Sequence, residues 1–538
     1  MYVRKYISGD RRVHRDNARR HGMVTKWADL HLAKEWLAKC LQEHDGCTPA
    51  NTVKAPFHPS TRFIDVEQQR LVSISDTYDA DYVALSYVWG GPQPQRTVTT
   101  NLEMYEKSLP YDGLPKTIQD AMVVTQTLGY RYLWVDALCI VQDSPEIVAI
   151  QIQQMNAVYK RAIFTLVNAG GTSAESGLHG VSFSRQCDEV PLPNGIALGR
   201  WNEGSHGQGF NQFSTYGTRG WTLQEQLLSG RKLIFDDLRI VWECDTHTLP
   251  ESGSARPGFV TDLRGALCIN QDLSVPRDLD PEAFEDAWQA TKVNFSRRNL
   301  TDIRDRLHAI TGIIEELKVI TGDEYVQGHN SAKLYQDLLW VTDYVPSQDL
   351  SGSPYDATAS DLAIDRRGPF PTWSWLSLWP IEWGTTPLGS EYRYRPVARD
   401  KFFPLPQTSL KIQQNRAGLW ELEIFGPLLH LRLTGVGINR TYKLYFPDGR
   451  PLPPGLIERL TYDQELAQRP NTLYCVPLAK VYRGVWKFST LTEEERWLTG
   501  ALLLRNVDNG NHYVRFGVAL LKGNHELYGR ERRRITCQ

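Results

Sequence analysis

Between residues 82 and 169 the chain alternates short apolar runs with stretches of helical periodicity. This constrains the fold more than any other feature, because strand–helix–strand units build parallel sheets. Residues 82–88 read as the first strand, which ends at Gly90-Gly91-Pro92. Leu114-Pro115 opens a helix with Ile118, Ala121, Met122, Thr125 and Leu128 on one face and Gly129 as its stop. Residues 131–136 form the next apolar run. A helix after Ser144-Pro145 carries Ile147, Ile150, Met155, Val158 and Ala162, and residues 163–167 are the third strand. Continuous apolar runs of this kind are strands buried on both faces. Open parallel sheets bind ligands at the carboxyl ends of their strands, which here are Trp89-Gly90-Gly91, Asp136 and Asn168-Ala169-Gly170-Gly171. Neither glycine pair completes a dinucleotide fingerprint or a P-loop, and a tight turn after a strand also accounts for each.

Around this core, Trp27, Leu30, Ala33, Leu37 and Leu41 recur at helical spacing over residues 24–44, with Asp45-Gly46 as a stop. Residues 51–60 read as a loop before the short apolar stretch 62–66. Residues 181–212, rich in Gly, Asn and Pro, read as an irregular insertion. Arg219-Gly220-Trp221-Thr222-Leu223-Gln224-Glu225 opens a helix before strand-like runs at 233–235 and 239–244. Residues 255–345 have a helical pattern, including 281–297 and 303–317. From about 370 onward, aromatic and β-branched runs separated by turns predict a β-rich module. The expected organisation is a lead-in at 1–79, an α/β domain at 80–245, a helical region at 246–365 and a β-rich module at 366–538.

With 60 Lys plus Arg against 62 Asp plus Glu and a net charge of -2, the chain lacks the basic excess of a protein that coats nucleic acid or an anionic membrane. The Arg-rich start, residues 1–23, has no apolar core for a secretory signal and reads as a frayed tail. No run reaches the ~18 apolar residues of a membrane span. Eight scattered cysteines suit a reducing compartment, and a cytoplasmic location is expected.

Four constellations bear on chemistry. Cys40, His44 and Cys47 place two residues on one helical face but supply only three ligands where a structural zinc needs four; His31 lies too far along the helix to complete the set, so helix packing is the expected role and no metal is assigned. Cys139 lacks an identifiable base and reads as a small core residue. Asp136, polar at the end of an apolar strand, either binds a ligand or holds a loop. Glu225 follows Trp221 by one helical turn, an aromatic wall with one carboxylate that suits a cationic ring or a ribose; Thr222-x-x-Glu225 is also a capping-box pattern, and on the residues alone the cap is the preferred reading.

Residues 82–90, 114–121, 128–143 and 219–225, in that order, resemble the fungal heterokaryon-incompatibility (HET) domain proteins. Further features of similar large fungal proteins are Trp36-Leu37-x-x-Cys40-x3-His44-x2-Cys47, Arg304-Asp305-Arg306-Leu307-His308-Ala309-Ile310 and Pro371-Thr372-Trp373-Ser374-Trp375. The resemblance implies a TIR-like, flavodoxin-like open parallel sheet and a role in non-self recognition that triggers programmed cell death. In NAD-cleaving TIR domains a Trp-x-x-x-Glu motif supplies the catalytic carboxylate, which makes Glu225 the candidate catalytic residue of an NAD glycohydrolase. Trp221, Trp89, Gly90, Gly91 and Asp136 would frame the pocket, with NAD as substrate and no cofactor required. The alternatives are an assembly module without chemistry, acting as a homo-oligomer or through an incompatibility partner, and a metabolic enzyme on a recruited HET fold.

Overall fold

The computed structural model describes residues 2–5, 26–44, 47, 57–73, 80–185, 189–192, 196–199, 214–251, 256–257, 281–342, 370–377, 381–382, 401–434, 443–445, 448, 450, 457–462, 472–482, 497–507, 512–522 and 532–537. The chain divides into two compact units. The first comprises Met1–Phe284 with Arg298–Leu300 and His308–Glu316, and the second Glu285–Arg297, Thr301–Leu307 and Leu317–Gln538.

In the first unit the strands are β1 (Tyr2–Lys5), β2 (Arg62–Asp65), β3 (Arg70–Ser73), β4 (Tyr82–Ser86), β5 (Tyr132–Trp134), β6 (Phe164–Asn168), β7 (Glu189–Leu192), β8 (Ile196–Gly199), β9 (Arg231–Phe235), β10 (Ile240–Cys244), β11 (His247–Pro250) and β12 (Arg256–Pro257). Nine of them form one sheet in the order β12-β11-β10-β9-β6-β4-β5-β2-β3. Strand β4 pairs in parallel with both β5 and β6, and β6 with β9. The alternation in the sequence therefore does produce a parallel core. Antiparallel strands extend it at both edges, β2 against β5 and β10 against β9. Every residue of β4, β6 and β9 is buried, as continuous apolar runs require. Burial of each large aliphatic side chain there, Leu85, Leu166 and Leu233 among them, contributes about 1.5–3 kcal/mol.

The helices between β1 and β10 are α1 (Leu30–Glu43), α2 (Leu102–Lys107), α3 (Lys116–Thr127), α4 (Asp136–Cys139), α5 (Pro145–Arg161) and α6 (Gly220–Leu228). Helix α1 starts six residues later than its periodicity predicts, because the Asp29 carboxylate accepts from Leu32 N and fixes the N-terminus there. The Ser144-Pro145 signal operates as read: Ser144 Oγ accepts from Ile147 N, with Pro145 as the first helical residue.

Two expectations change. The insertion at 181–212 contains the hairpin β7–β8, and the frayed tail contains β1, which pairs antiparallel with β8. A partner far along the chain turns a basic terminal segment into a strand, and no local periodicity signals that. The loop expected at 51–60 and the stop at Asp45-Gly46 lie largely outside the described residues.

In the second unit, a ten-stranded sheet includes Trp420–Pro427, Thr472–Tyr482, Trp497–Asn506, His512–Lys522 and Arg532–Cys537. Its pairs are antiparallel except His512–Lys522 against Arg532–Cys537. Leu338, Leu422, Val476, Leu502 and Val518 belong to its core. Trp340, Trp373 and Trp375 are packing aromatics, with Trp375 Nε1 donating to Gly328 O at 2.9 Å and Trp340 Nε1 to Trp373 O at 3.1 Å. Among the described residues, no helix is long and apolar enough to cross a membrane.

Candidate functional site

The four parallel strands lie in the spatial order β5-β4-β6-β9, so chain order reverses between β4 and β6. A reversal opens a crevice at the carboxyl ends of the two strands, because their connections leave to opposite sides. The residues there are Ser86, last in β4, and Asn168, last in β6. The Asn168 amide donates to Thr117 Oγ1 at 3.2 Å and Gly177 O at 3.0 Å, so it holds the loop that leaves β6. Ser86 is committed differently: its hydroxyl donates to the Glu225 carboxylate and lies 2.6 Å from the Tyr216 hydroxyl. Tyr216 is seated in an apolar cluster with Val88, Val167, Ala169 and Ile234, beneath the same strand ends.

Glu225 is on α6, which connects β6 to β9. Ser229 Oγ donates to Glu225 O at 2.6 Å and lies 2.8 Å from Thr165 Oγ1 of β6, which ties the end of α6 to the sheet. At its start, Arg298 donates to Arg219 O at 3.2 Å and Thr222 Oγ1 at 3.0 Å. Burial lowers the Arg298 pKa to about 10, while the charges of Tyr216 and Glu225 act in the other direction. The capping-box reading of Glu225 is not realised. Arg219 is the N-cap, and Thr222 Oγ1 donates to Tyr216 O and Arg219 O, so the Glu225 side chain is released to turn toward the strand ends.

Glu225 is 7 % exposed, and its pKa rises to about 7. Burial is the main cause and the charge of Asp136 adds to it; the Ser86 hydrogen bond and the Arg219 charge oppose it. Asp136 is also pushed up, mainly by burial, with Ala137 N, Arg219 and Trp89 favouring its ionised form. Trp89 Nε1 donates to Asp136 Oδ2 at 2.9 Å and Ala137 N to Oδ1 at 2.7 Å. Asp136 thus holds a loop and faces the same charged cluster as Glu225. The Tyr87 and Tyr159 hydroxyls are buried in this environment and are held neutral by burial and by the two carboxyls. One buried and one half-buried carboxyl with a part-exposed arginine make a site where a proton or a cationic charge can be held near neutral pH.

Of the residues singled out from sequence, Trp89 and Asp136 are joined directly, and Asp136 and Glu225 electrostatically. Trp221 is part-exposed one turn before Glu225 on α6; the hydroxyl that bonds the carboxylate belongs to Ser86. Gly90 and Gly91 turn the chain after β4. Ala174 N donates to Trp89 O at 3.1 Å, so the loops after β4 and β6 clasp each other. At Gly90, φ is +73°, and an added Cβ would lie 2.3 Å from Ser173 Cβ and 2.6 Å from Ser173 Cα. Gly90→Ala is therefore expected to destabilise the protein by about 1–3 kcal/mol from overpacking and backbone strain. At Gly91, φ is +158°, so a side chain there is also strained, but an added Cβ meets nothing within 4 Å and Gly91→Ala should cost less. Comparison of urea denaturation midpoints for the two alanine variants checks this, and equal midpoints would contradict it.

Cys139 is a core residue: its sulfur accepts from Val135 N at 3.3 Å, and burial pushes the thiol up to about 12, which leaves no thiolate at neutral pH. Cys40, His44 and Cys47 converge at one point, and Cys244, from the end of β10, joins them. Sequence reasoning missed Ser86, Tyr216, Arg219, Arg298 and Cys244 as participants. Ser86 carried a signal, as the polar end of an apolar strand, and Arg219 opens the fourth motif block; Tyr216, Arg298 and Cys244 depend on contacts between distant segments.

No curated protein and no solved structure compared with the chain matches significantly. Residues 82–225 match the family model described as Heterokaryon incompatibility protein (HET). The match runs from the start of β4 to the carboxylate on α6, so Ser86, Trp89, Asp136, Tyr216, Arg219 and Glu225 lie in the region that matches the HET family model, and Arg298 lies outside it.

Proposed function

We propose that the chain acts in fungal heterokaryon incompatibility, triggering programmed cell death through a TIR-like cleavage of NAD at the site around Glu225. The observation that carries this reading is a buried carboxylate with a pKa near 7 at the reversal of a parallel sheet, with Ser86 and Tyr216 beneath it. In the reaction, the bond between ribose C1′ and the nicotinamide nitrogen breaks with its electron pair going to the base, which leaves as neutral nicotinamide. The ribose gains oxocarbenium character, and an ionised Glu225 stabilises that charge in a site from which water is mostly excluded. Water then adds at C1′ and loses a proton, giving ADP-ribose. Trp221 and Trp89 offer aromatic surface to the bases, and the charge of Arg219 suits the diphosphate.

Because the active form is the carboxylate, turnover should rise about tenfold per pH unit below pH 7 and level off above it. Nicotinamide release from NAD by the purified full chain across pH 5–9, at low and high protein concentration, tests this. No release at any pH or concentration would remove the catalytic reading. One observation favours a second reading, a non-catalytic assembly module: Glu225 is already satisfied by the Ser86 hydroxyl and nearly closed to solvent. That reading requires self-association or partner capture that depends on the HET domain.

A further inference from the structure

Sγ of Cys40, Cys47 and Cys244 and a ring nitrogen of His44 all lie within 4.8 Å of one another. They come from three places: Cys40 in the last turn of α1, His44 and Cys47 in the segment that leaves it, and Cys244 at the end of β10, 200 positions from His44. We propose that these four side chains bind one structural zinc ion, which fastens α1 and the segment after it to β10 of the nine-stranded sheet.

The donor set is that of a closed zinc site, three thiolates and one imidazole. Its dimensions agree. Zn–S bonds of about 2.3 Å and Zn–N bonds of about 2.0–2.1 Å in a tetrahedron separate neighbouring ligand atoms by roughly 3.5–3.8 Å; Cys244 Sγ is 3.5 Å from His44 Nδ1. The ligands are sequestered, with Cys40 and Cys47 at 0 %, Cys244 at 2 % and His44 at 9 % exposure, which leaves no open coordination position for a substrate.

Polar groups surround the sulfurs. Arg231, 2 % exposed, directs Nε at Cys40 Sγ at 3.3 Å and an Nη at Cys47 O. His247 N donates to Cys244 Sγ at 3.4 Å, Thr246 Oγ1 lies 3.3 Å from Cys47 Sγ, and the His247 ring stacks on His44 at 4.9 Å. Such outer contacts orient ligands and disperse their charge. The charge balance also closes: three thiols release three protons on binding Zn²⁺, the Cys₃His complex carries one net negative charge, and the buried Arg231 guanidinium offsets it. Among its described hydrogen bonds, that arginine meets the Cys40 sulfur and the carbonyls of Ile163 and Cys47, and no carboxylate.

The experiment measures zinc by plasma mass spectrometry in the full chain purified under reducing conditions and dialysed against metal-free buffer. It is paired with cobalt substitution and with a thiol count on the unfolded protein. The expected result is one zinc per chain, a cobalt form with thiolate charge-transfer and tetrahedral visible bands, and all eight thiols titratable. Zinc content should fall to background in Cys244→Ser and His44→Ala and stay at one in Cys475→Ala, whose sulfur lies in the other unit. A folded wild-type chain without zinc that gives no tetrahedral cobalt spectrum would overturn the proposal. So would a disulfide between two of the cluster's cysteines, found by a thiol count two short of eight and peptide mapping, or full zinc retention by Cys244→Ser. If the ligand variants do not fold, the wild-type metal content and cobalt spectrum decide the question.

Discussion

Glu225→Gln is expected to reduce nicotinamide release from NAD by about 100-fold or more, and at the same time to make the protein more stable at pH 8. The two effects share one cause. In the unfolded chain a glutamate ionises near its ordinary value of 4.5, whereas in the fold Glu225 does so near 7. Between those values the folded state binds the extra proton, so stability declines as pH rises from about 4.5 to about 7 and the full penalty persists above 7. At about 1.4 kcal/mol per pK unit, holding the carboxylate ionised opposes folding by roughly 3 kcal/mol. Glutamine keeps an oxygen to accept from Ser86 and has no charge to desolvate. The stabilisation should therefore be clear at pH 8 and absent at pH 4. A residue retained only to hold the fold shows the opposite pattern, with lost stability and no specific functional loss. Melting temperatures of both proteins at the two pH values, with nicotinamide release followed in parallel, separate the cases. An unchanged rate in the variant would end the catalytic reading even if the stability pattern held.

Asp337→Asn should destabilise the second unit by about 3–5 kcal/mol. Asp337 and Lys292 are 1 % and 0 % exposed at the side chain and meet at 2.6 Å, and the second Asp337 oxygen accepts from Asn330 N at 2.8 Å. Packed against this pair, His329 is held well below its ordinary pKa by burial and by the charges of Lys292 and Arg515, so it stays neutral and cannot replace the carboxylate charge. Removal of the aspartate charge leaves an ammonium in a dry interior, a cost that far exceeds the net contribution of the pair. The double variant Lys292→Met with Asp337→Leu should recover most of the loss, because both desolvation penalties disappear with the charges. Denaturant midpoints across the single and double variants measure this, and a single variant within 1 kcal/mol of wild type would show that the pair is solvated in solution.

How legible the site was depended on how local each participant is. The βαβ rhythm was readable because apolar runs of strand length alternate with helical stripes, and Ser144, Pro145 and Gly129 act on their own neighbours. Glu225 was visible through its spacing from Trp221, but its spacing from Thr222 was also consistent with a cap. Only the direction of its side chain, toward Ser86 of β4, separates the two. Tyr216 and Arg298 carry no local mark. Tyr216 matters because it lies beneath the ends of β4 and β6, and Arg298 because it bonds the start of α6 from 79 positions away.

The amino-acid sequence by itself determined the parallel α/β core, the resemblance borne by its four motif blocks and the β-rich character of the last third, since each follows from periodicity or from short contiguous patterns. Tertiary structure alone decided that β1 pairs with β8, that strand order reverses between β4 and β6, and that Glu225 is a buried carboxylate with a raised pKa. It also brought Cys244 to Cys40, His44 and Cys47. The physical reason is common to all four: strand order, desolvation and a four-ligand set are properties of segments far apart in the chain, and they come into being only when hydrophobic burial brings those segments together.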